Sequence, residues 1–234
     1  MDTINKIQTA LKAALPHTLP ILTGYLFISI AYGIYMNAAG LPGWYAIVTS
    51  ICIYGGSLEY LVVWFLKSSW SPVTVLLTAL MVQARHLFYG ISMLKKYKGT
   101  GKKKWHLIYA MSDETFAVNY SAVIPENVDR GWFYFWVTFL DQMYWVIGCA
   151  IGGLAGSLLT LNTKGIDFVM NAMFLVIALN GIEKVPARIP ALLGLGCSLL
   201  ALALFGPNRF LIPAMILILI ALMIYRPFEQ RSRQ

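Results

Sequence analysis

Long apolar runs separated by short polar turns dominate the chain. Eight of them stand out: Leu19 to Met36, Trp44 to Leu66, Pro72 to Leu94, Trp105 to Ile124, Trp132 to Ser157, Ile166 to Gly181, Ile189 to Phe205 and Phe210 to Tyr225. Several approach the roughly 20 residues that carry a helix across the hydrocarbon layer. The pattern therefore predicts an all-α polytopic integral membrane protein with about six to eight membrane segments. Upstream, Ile4, Ile7, Leu11 and Leu15 recur at helical spacing with Lys6, Gln8 and Lys12 opposite, which predicts an N-terminal amphipathic interfacial helix over residues 1–15. Residues 16–226 are then expected to form a single transmembrane domain and residues 227–234 a cytoplasmic tail. The first apolar run is long and lacks a convincing small-x-small cleavage site, so it is expected to remain as an uncleaved first span.

Composition agrees with a lipid environment. Hydrophobic residues make up 59% of the chain and charged residues only 12%, too little polar surface for a soluble domain of this size. The net charge of +8 comes from basic residues that flank apolar segments, so it sets membrane orientation and does not mark a nucleic-acid site. Cys52, Cys149 and Cys197 lie inside apolar stretches without metal-ligand spacing and are expected to be small packing residues. No cofactor and no metal are expected.

The distribution of lysine and arginine selects a topology, with Arg85 set aside as intramembrane. If all eight segments cross and the N-terminus is cytoplasmic, nine basic residues lie inside and eight outside, which is no bias. If Trp44 to Leu66 and Trp105 to Ile124 each enter and leave on one side, the count becomes fourteen inside against three outside. A rival with seven spans, an external N-terminus and no crossing at Trp105 to Ile124 gives twelve against five. The broken-segment arrangement is the better fit. Its breaks are expected at Gly55-Gly56-Ser57 and at Ser112-Asp113-Glu114, where acids sit among apolar residues. Non-helical backbone at membrane depth is tolerated only where protein buries it or a wet cavity faces it.

Candidate chemistry follows from these interruptions. Gln83, Arg85 and His86 fall near the centre of Pro72 to Leu94, and a charged residue at the centre of a span costs about 2.5–3.5 kcal/mol on insertion scales. Arg85 should therefore face protein, water or a ligand. Its planar fork suits a carboxylate, whether of a substrate, of Glu59 or of Asp113. Glu59, Arg85, His86, Asp113, Glu114 and Asp141 all lie at or near membrane depth, with Gln83, Asn119, Gln142 and Asn171 as uncharged partners. Glu59, His86, Asp113 and Asp141 are candidates for proton coupling, although His86 reads more readily as a satisfied structural histidine than as a proton carrier. Glu114 and Asn119 suit helix ends. Gly55 and Gly56 permit close approach, and Gly152-Gly153 and Gly156 are expected to let helices touch. Broken helices present half-helix N-termini and free carbonyls, so Gly55, Gly56, Ser57 and Arg85 are expected to receive a carboxylate, with Asp113 or Asp141 meeting an ammonium group or carrying the coupled proton.

Four motifs occur together: Leu19-Pro20-Ile21, Tyr54-Gly55-Gly56, Arg85-His86-Leu87-Phe88-Tyr89-Gly90 and Ser112-Asp113-Glu114-Thr115-Phe116-Ala117. In this order they resemble the large subunit of the AzlC-like (YgaZ-like) branched-chain amino acid permease/exporter family, over most of the chain. The resemblance implies a bacterial inner (cytoplasmic) membrane exporter of leucine, isoleucine, valine and related amino acids such as methionine. It also implies a small AzlD-like membrane subunit as partner. Proton coupling and alternating access are expected for such a transporter. The expected substrate-binding set is Gly55, Gly56, Ser57, Glu59, Tyr60, Arg85, Phe88, Asp113 and Phe116, with Tyr60, Phe88 and Phe116 against the apolar side chain. Three positions depart from the family pattern: Glu59 where glutamine is common, Leu58 where a small hydroxyl residue is frequent, and Gln83 where asparagine or aspartate is common. The extra acid at Glu59 either alters the charge of the substrate tolerated or pairs with Arg85.

Other classes weigh against this reading. Ser57, His86 and Asp113 could be arranged on paper as nucleophile, base and orienter of a membrane-embedded hydrolase, but no nucleophile-elbow pattern surrounds Ser57. A passive channel or a structural membrane subunit is the other alternative.

Overall fold

The computed structural model describes residues 3–158, 175, 188–206 and 210–232. These fall in two compact units, Met1–Asp167 and Phe168–Gln234. All regular structure among the described residues is helical: α1 (Thr3–Ala38), α2 (Trp44–Cys52), α3 (Gly56–Lys67), α4 (Pro72–Val82), α5 (Ala84–Met93), α6 (Lys103–Tyr109), α7 (Asp113–Ser121) and α8 (Arg130–Leu158) in the first unit, and α9 (Arg188–Phe205) and α10 (Leu211–Ser232) in the second. The all-α expectation holds.

The expected six to eight membrane segments are matched only in part among the described residues. Among the described residues three helical stretches, Ile4–Ala38, Arg130–Gly156 and Arg188–Phe205, are long and apolar enough to cross a membrane, and α4 with α5 makes a fourth if counted as one bent span. The segment Ile166 to Gly181, with Asn171, lies almost wholly outside the described residues. The expected interruptions in Trp44 to Leu66 and Trp105 to Ile124 are present, between α2 and α3 and between α6 and α7. A third interruption was not expected. Pro72 to Leu94 reads as one span, yet α4 and α5 meet at Gln83 with a bend of 50°. Nothing in Val82-Gln83-Ala84 breaks a helix locally, so the bend is imposed by tertiary contact.

The first unit is built around α1 and α8. Residues 3–15 continue without a break into the first apolar run, giving one helix of 36 residues that passes through Pro16 and Pro20. Besides Gly33, its buried positions are Ala10, Ala14, Thr18, Tyr25, Ser29, Tyr32 and Met36, recurring at three, four or seven residues along one face. Against this face α8 sets a row of glycines. A Cβ on Gly33 would lie 2.3 Å from Gly153 N, and one on Gly152 would lie 2.1 Å from Ile30 O. Only glycine allows the two backbones to come so close. Asn37 then donates from Nδ2 to Gly153 O at 2.6 Å, which ties the end of the seam. At the other end Ala10, Ala14, Met93, Tyr97, Leu107, Phe133 and Val137 join one apolar cluster.

Three of the short helices, α4, α7 and α3, start on a recognisable device. Ser71 caps α4 by accepting from Thr74 N at 3.1 Å, with Pro72 in the first turn where its missing N–H costs nothing. Ser112 caps α7 by accepting from Thr115 N at 3.1 Å, and Asp113 and Glu114 in the first turn complement the helix dipole. At α3 the cap is inverted: Gly55 N donates to Glu59 Oε1 at 3.1 Å. Just before it Tyr54, buried, holds φ at 44°, a left-handed conformation rare for a bulky residue.

In the second unit α9 and α10 pack against one another.

Candidate functional site

The three interruptions converge. Arg85, in the first turn of α5, forms an ion pair from Nη1 to Asp113 Oδ2 at 3.0 Å and donates from Nη2 to Ser57 Oγ at 3.2 Å. Ser57 belongs to the first turn of α3 and Asp113 to that of α7. One guanidinium therefore joins the N-termini of two half-length helices. The bend at Gln83 serves the same assembly. A Cβ on Gly55 would lie 1.9 Å from Gln83 Nε2, so the carboxamide occupies the space that Gly55 leaves open beside the break.

Of the carboxylates offered to Arg85, the structure selects Asp113. Glu59 does not pair with Arg85, which corrects that expectation. Its carboxylate, 0% exposed, accepts from Trp145 Nε1 at 3.0 Å and 3.2 Å as well as from Gly55 N. Burial beside the backbone N–H of its own helix start, with an indole on the other side, satisfies this acid without a cation. Asp141, one turn before Trp145 on α8, is also fully buried and accepts from Thr115 Oγ1 at 2.7 Å. The Tyr25 hydroxyl lies 2.6 Å from both Ser112 Oγ and Glu114 Oε2, linking α1 to the third break.

The remaining candidates are distributed as follows. Gly56 packs against Trp145, whose Cη2 would lie 3.2 Å from an added Cβ. Phe116 stacks on Tyr89 with ring centroids 4.4 Å apart, beside Asp113 in sequence. Tyr60 turns towards α1: it is buried, donates to Ile28 O at 3.0 Å, meets the Tyr32 ring at a tilt and stacks on Tyr35. Phe88 is 60% exposed and makes none of the ring contacts at the breaks. His86 is half-buried, edge-on to Tyr89, and its Nδ1 has no hydrogen-bond partner among the described residues. Asn119 is a packing residue, donating to Tyr97 OH at 3.0 Å and Thr138 Oγ1 at 3.3 Å.

Ser57, His86 and Asp113 do not form a nucleophile, base and orienter. Ser57 and Asp113 are both held by Arg85, and His86 Nδ1 contacts neither. What the arrangement can do is bind opposite charges side by side. Arg85 Nε, Asp113 Oδ1 and Asp141 Oδ1 keep unused hydrogen-bonding capacity among the described residues, in side chains that face the junction. The Arg85 and Asp113 side chains remain 36% and 35% exposed. Trp145, Tyr25 and Thr115 are site residues that the sequence reading missed. The available signal was the spacing of four residues between Asp141 and Trp145, which puts both on one face of α8.

A helical membrane protein with interrupted helices and an arginine–carboxylate pair at their junction is the class these features define. Residues 20–159 match the profile of the AzlC protein family, and the chain belongs to that family. It is 50% identical to the "Branched-chain amino acid transport protein AzlC" of Bacillus subtilis strain 168, over 98% of this chain and 91% of that protein. An "Uncharacterized membrane protein" of Haemophilus influenzae is 45% identical over 91% of this chain and 87% of its own length. The "Inner membrane protein YgaZ" of Escherichia coli K12 is 26% identical over 86% and 82%. No solved structure matches the chain.

Proposed function

We propose that the chain exports branched-chain and related apolar amino acids across the bacterial inner membrane, coupled to protons and acting with a small AzlD-like membrane subunit. The observation that carries the site is the Arg85–Asp113 ion pair bridging the starts of α3 and α7. A zwitterionic amino acid brings the same two charges a short distance apart. Its carboxylate takes Arg85 and Ser57 while its ammonium takes Asp113, so a pair within the protein is exchanged for two pairs with the solute. No charge is left unpaired in a poorly solvated place, the arrangement that would be most costly. The backbone N–H groups at the starts of α3 and α7 favour the carboxylate further. The stacked Phe116 and Tyr89 form the nearest aromatic surface for the apolar side chain.

Glu59 and Asp141 supply the coupling in this reading. Both are buried carboxyls that lack a cationic partner among the described residues, and both hydrogen-bond to helices that start at the breaks. The name of the Bacillus subtilis relative supports the substrate class, and the relatives named as membrane proteins support the membrane. Efflux of labelled leucine, isoleucine, valine and methionine from cells expressing the chain, with and without the neighbouring small membrane protein, tests the reading. Efflux equal to that of cells lacking the chain, under both conditions, would sink it.

A further inference from the structure

Away from the Arg85 junction the first unit holds a second built feature, a cavity of about 720 Å³ lined by Lys95, Lys96, Lys98, Lys103 and Arg130, with Asp129 as its one acid. We propose that this cavity is a binding site for the phosphodiester headgroup of an anionic phospholipid.

Two of the cations are already employed in shaping the wall. Lys96 donates to the carbonyls of Asn119 and Tyr120 at the end of α7, and Lys103 stands 4.2 Å over the Trp132 ring. The side chains of Lys95, Lys98 and Arg130 make no hydrogen bond or ion pair among the described residues. Asp129 does not cancel them. Its Oδ1 accepts from Trp132 N at 2.8 Å as the cap of α8. The cavity is thus strongly cationic, lies at the N-terminal end of a 29-residue helix, and receives the positive end of that helix's dipole.

Position and lining decide the source of the phosphate. Arg130 opens a stretch long enough to cross the bilayer, so the cavity sits where such a helix leaves the hydrocarbon. Ala122, Val123 and Ile124 add an apolar stretch to the lining, and Val123 is 90% exposed. A free anion has no use for that apolar rim, whereas the upper part of an acyl chain would cover it. Basic pockets between membrane helices are suited to anionic headgroups for this reason.

The test uses the delipidated full chain in nonionic detergent, titrated with short-chain phosphatidylglycerol, with phosphatidylcholine of the same chain length, and with inorganic phosphate. Binding is read by native mass spectrometry and by the shift in melting temperature. Each basic group near an anionic headgroup contributes about fivefold to affinity. Phosphatidylglycerol should bind at one per chain and at least tenfold more tightly than phosphatidylcholine. Lys95→Gln/Lys98→Gln/Arg130→Gln should abolish that preference. Lys102→Gln/Lys104→Gln, which removes two charges from the same segment but none from the lining, should keep it. Should the triple variant not fold, Lys98→Gln alone, at an exposed position, should still weaken phosphatidylglycerol several-fold and leave phosphatidylcholine unchanged. Equal loss in the Lys102/Lys104 variant would mean diffuse charge and no site. Inorganic phosphate raising the melting temperature as much as phosphatidylglycerol would make the ligand a free anion and overturn the assignment to lipid.

Discussion

Trp145 of α8 donates its indole N–H to both carboxylate oxygens of Glu59, at 3.0 Å and 3.2 Å. This contact fastens the start of α3 to the helix that carries Asp141. A glutamine could accept the same indole hydrogen bond through its carbonyl oxygen but could not exchange a proton in the same range. Glu59→Gln should therefore fold and should exchange labelled amino acid at equal concentration on both sides. Uphill efflux driven by a proton gradient should fall at least tenfold if Glu59 is the proton carrier. Asp141→Asn and Asp113→Asn belong in the same assays. Uphill transport unchanged in all three variants would exclude these carboxyls from coupling.

Arg85→Lys keeps a charge but cannot reach Asp113 and Ser57 with two nitrogens of one rigid plane. Efflux should drop by an order of magnitude or more at equal membrane abundance. Arg85→Ala should be worse, because Asp113 then loses its partner, and Arg85→Ala/Asp113→Ala should recover folding yield without recovering transport. Normal efflux from both single variants would remove Arg85 from the site.

The glycine seam can be tested apart from function. Gly33→Ala and Gly152→Ala each place a methyl within 2.3 Å of backbone on the facing helix, and backbone cannot step aside as a flexible side chain can. Each should destabilise by about 1–3 kcal/mol or more, the usual range for overpacking. Gly24, on the same helix as Gly33, has nothing within 4 Å of an added Cβ, so Gly24→Ala should be neutral or slightly stabilising. Melting temperatures in detergent that do not separate these two groups would contradict the packing.

Topology is checked by a membrane-impermeant thiol reagent. In a background free of Cys52, Cys149 and Cys197, a cysteine at the exposed Lys102 should stay unmodified in intact cells and react after lysis, as expected for a lysine-rich segment on the cytoplasmic side. Strong labelling in intact cells would reverse the orientation.

Two of the three helix breaks were legible in the sequence because their local chemistry is unusual at membrane depth. A glycine pair before Ser57, and a serine followed by two acids at Ser112, are start signals inside otherwise apolar runs. The break at Gln83 carries no such signal; what accompanies it is a contact the sequence does not display, the side chain of Gln83 filling the space beside Gly55, 28 positions away. The continuity of α1 was illegible for the opposite reason. Pro16 and Pro20 look like an ending, yet each removes only one backbone hydrogen bond, and the buried face from Ala10 to Met36 holds the helix together across them. Trp145 was missed because a tryptophan in an apolar run is ordinarily packing; its role depends on Glu59, which approaches from another helix. Arg85 was identified by cost alone, whereas the choice of Asp113 over Glu59 needed coordinates.

The glycine contacts between α1 and α8 have a mechanical consequence. Backbones that touch without intervening side chains have no soft layer over which to slide, so this helix pair behaves as a fixed post. Any motion that opens the junction first to one side of the membrane and then to the other has to be taken up at the three joints, around residues 53–55, 83 and 110–112. Arg85 and its two partners sit where those joints meet, so in the proposed transport cycle a solute displacing Asp113 from the guanidinium would also loosen the latch between the moving parts.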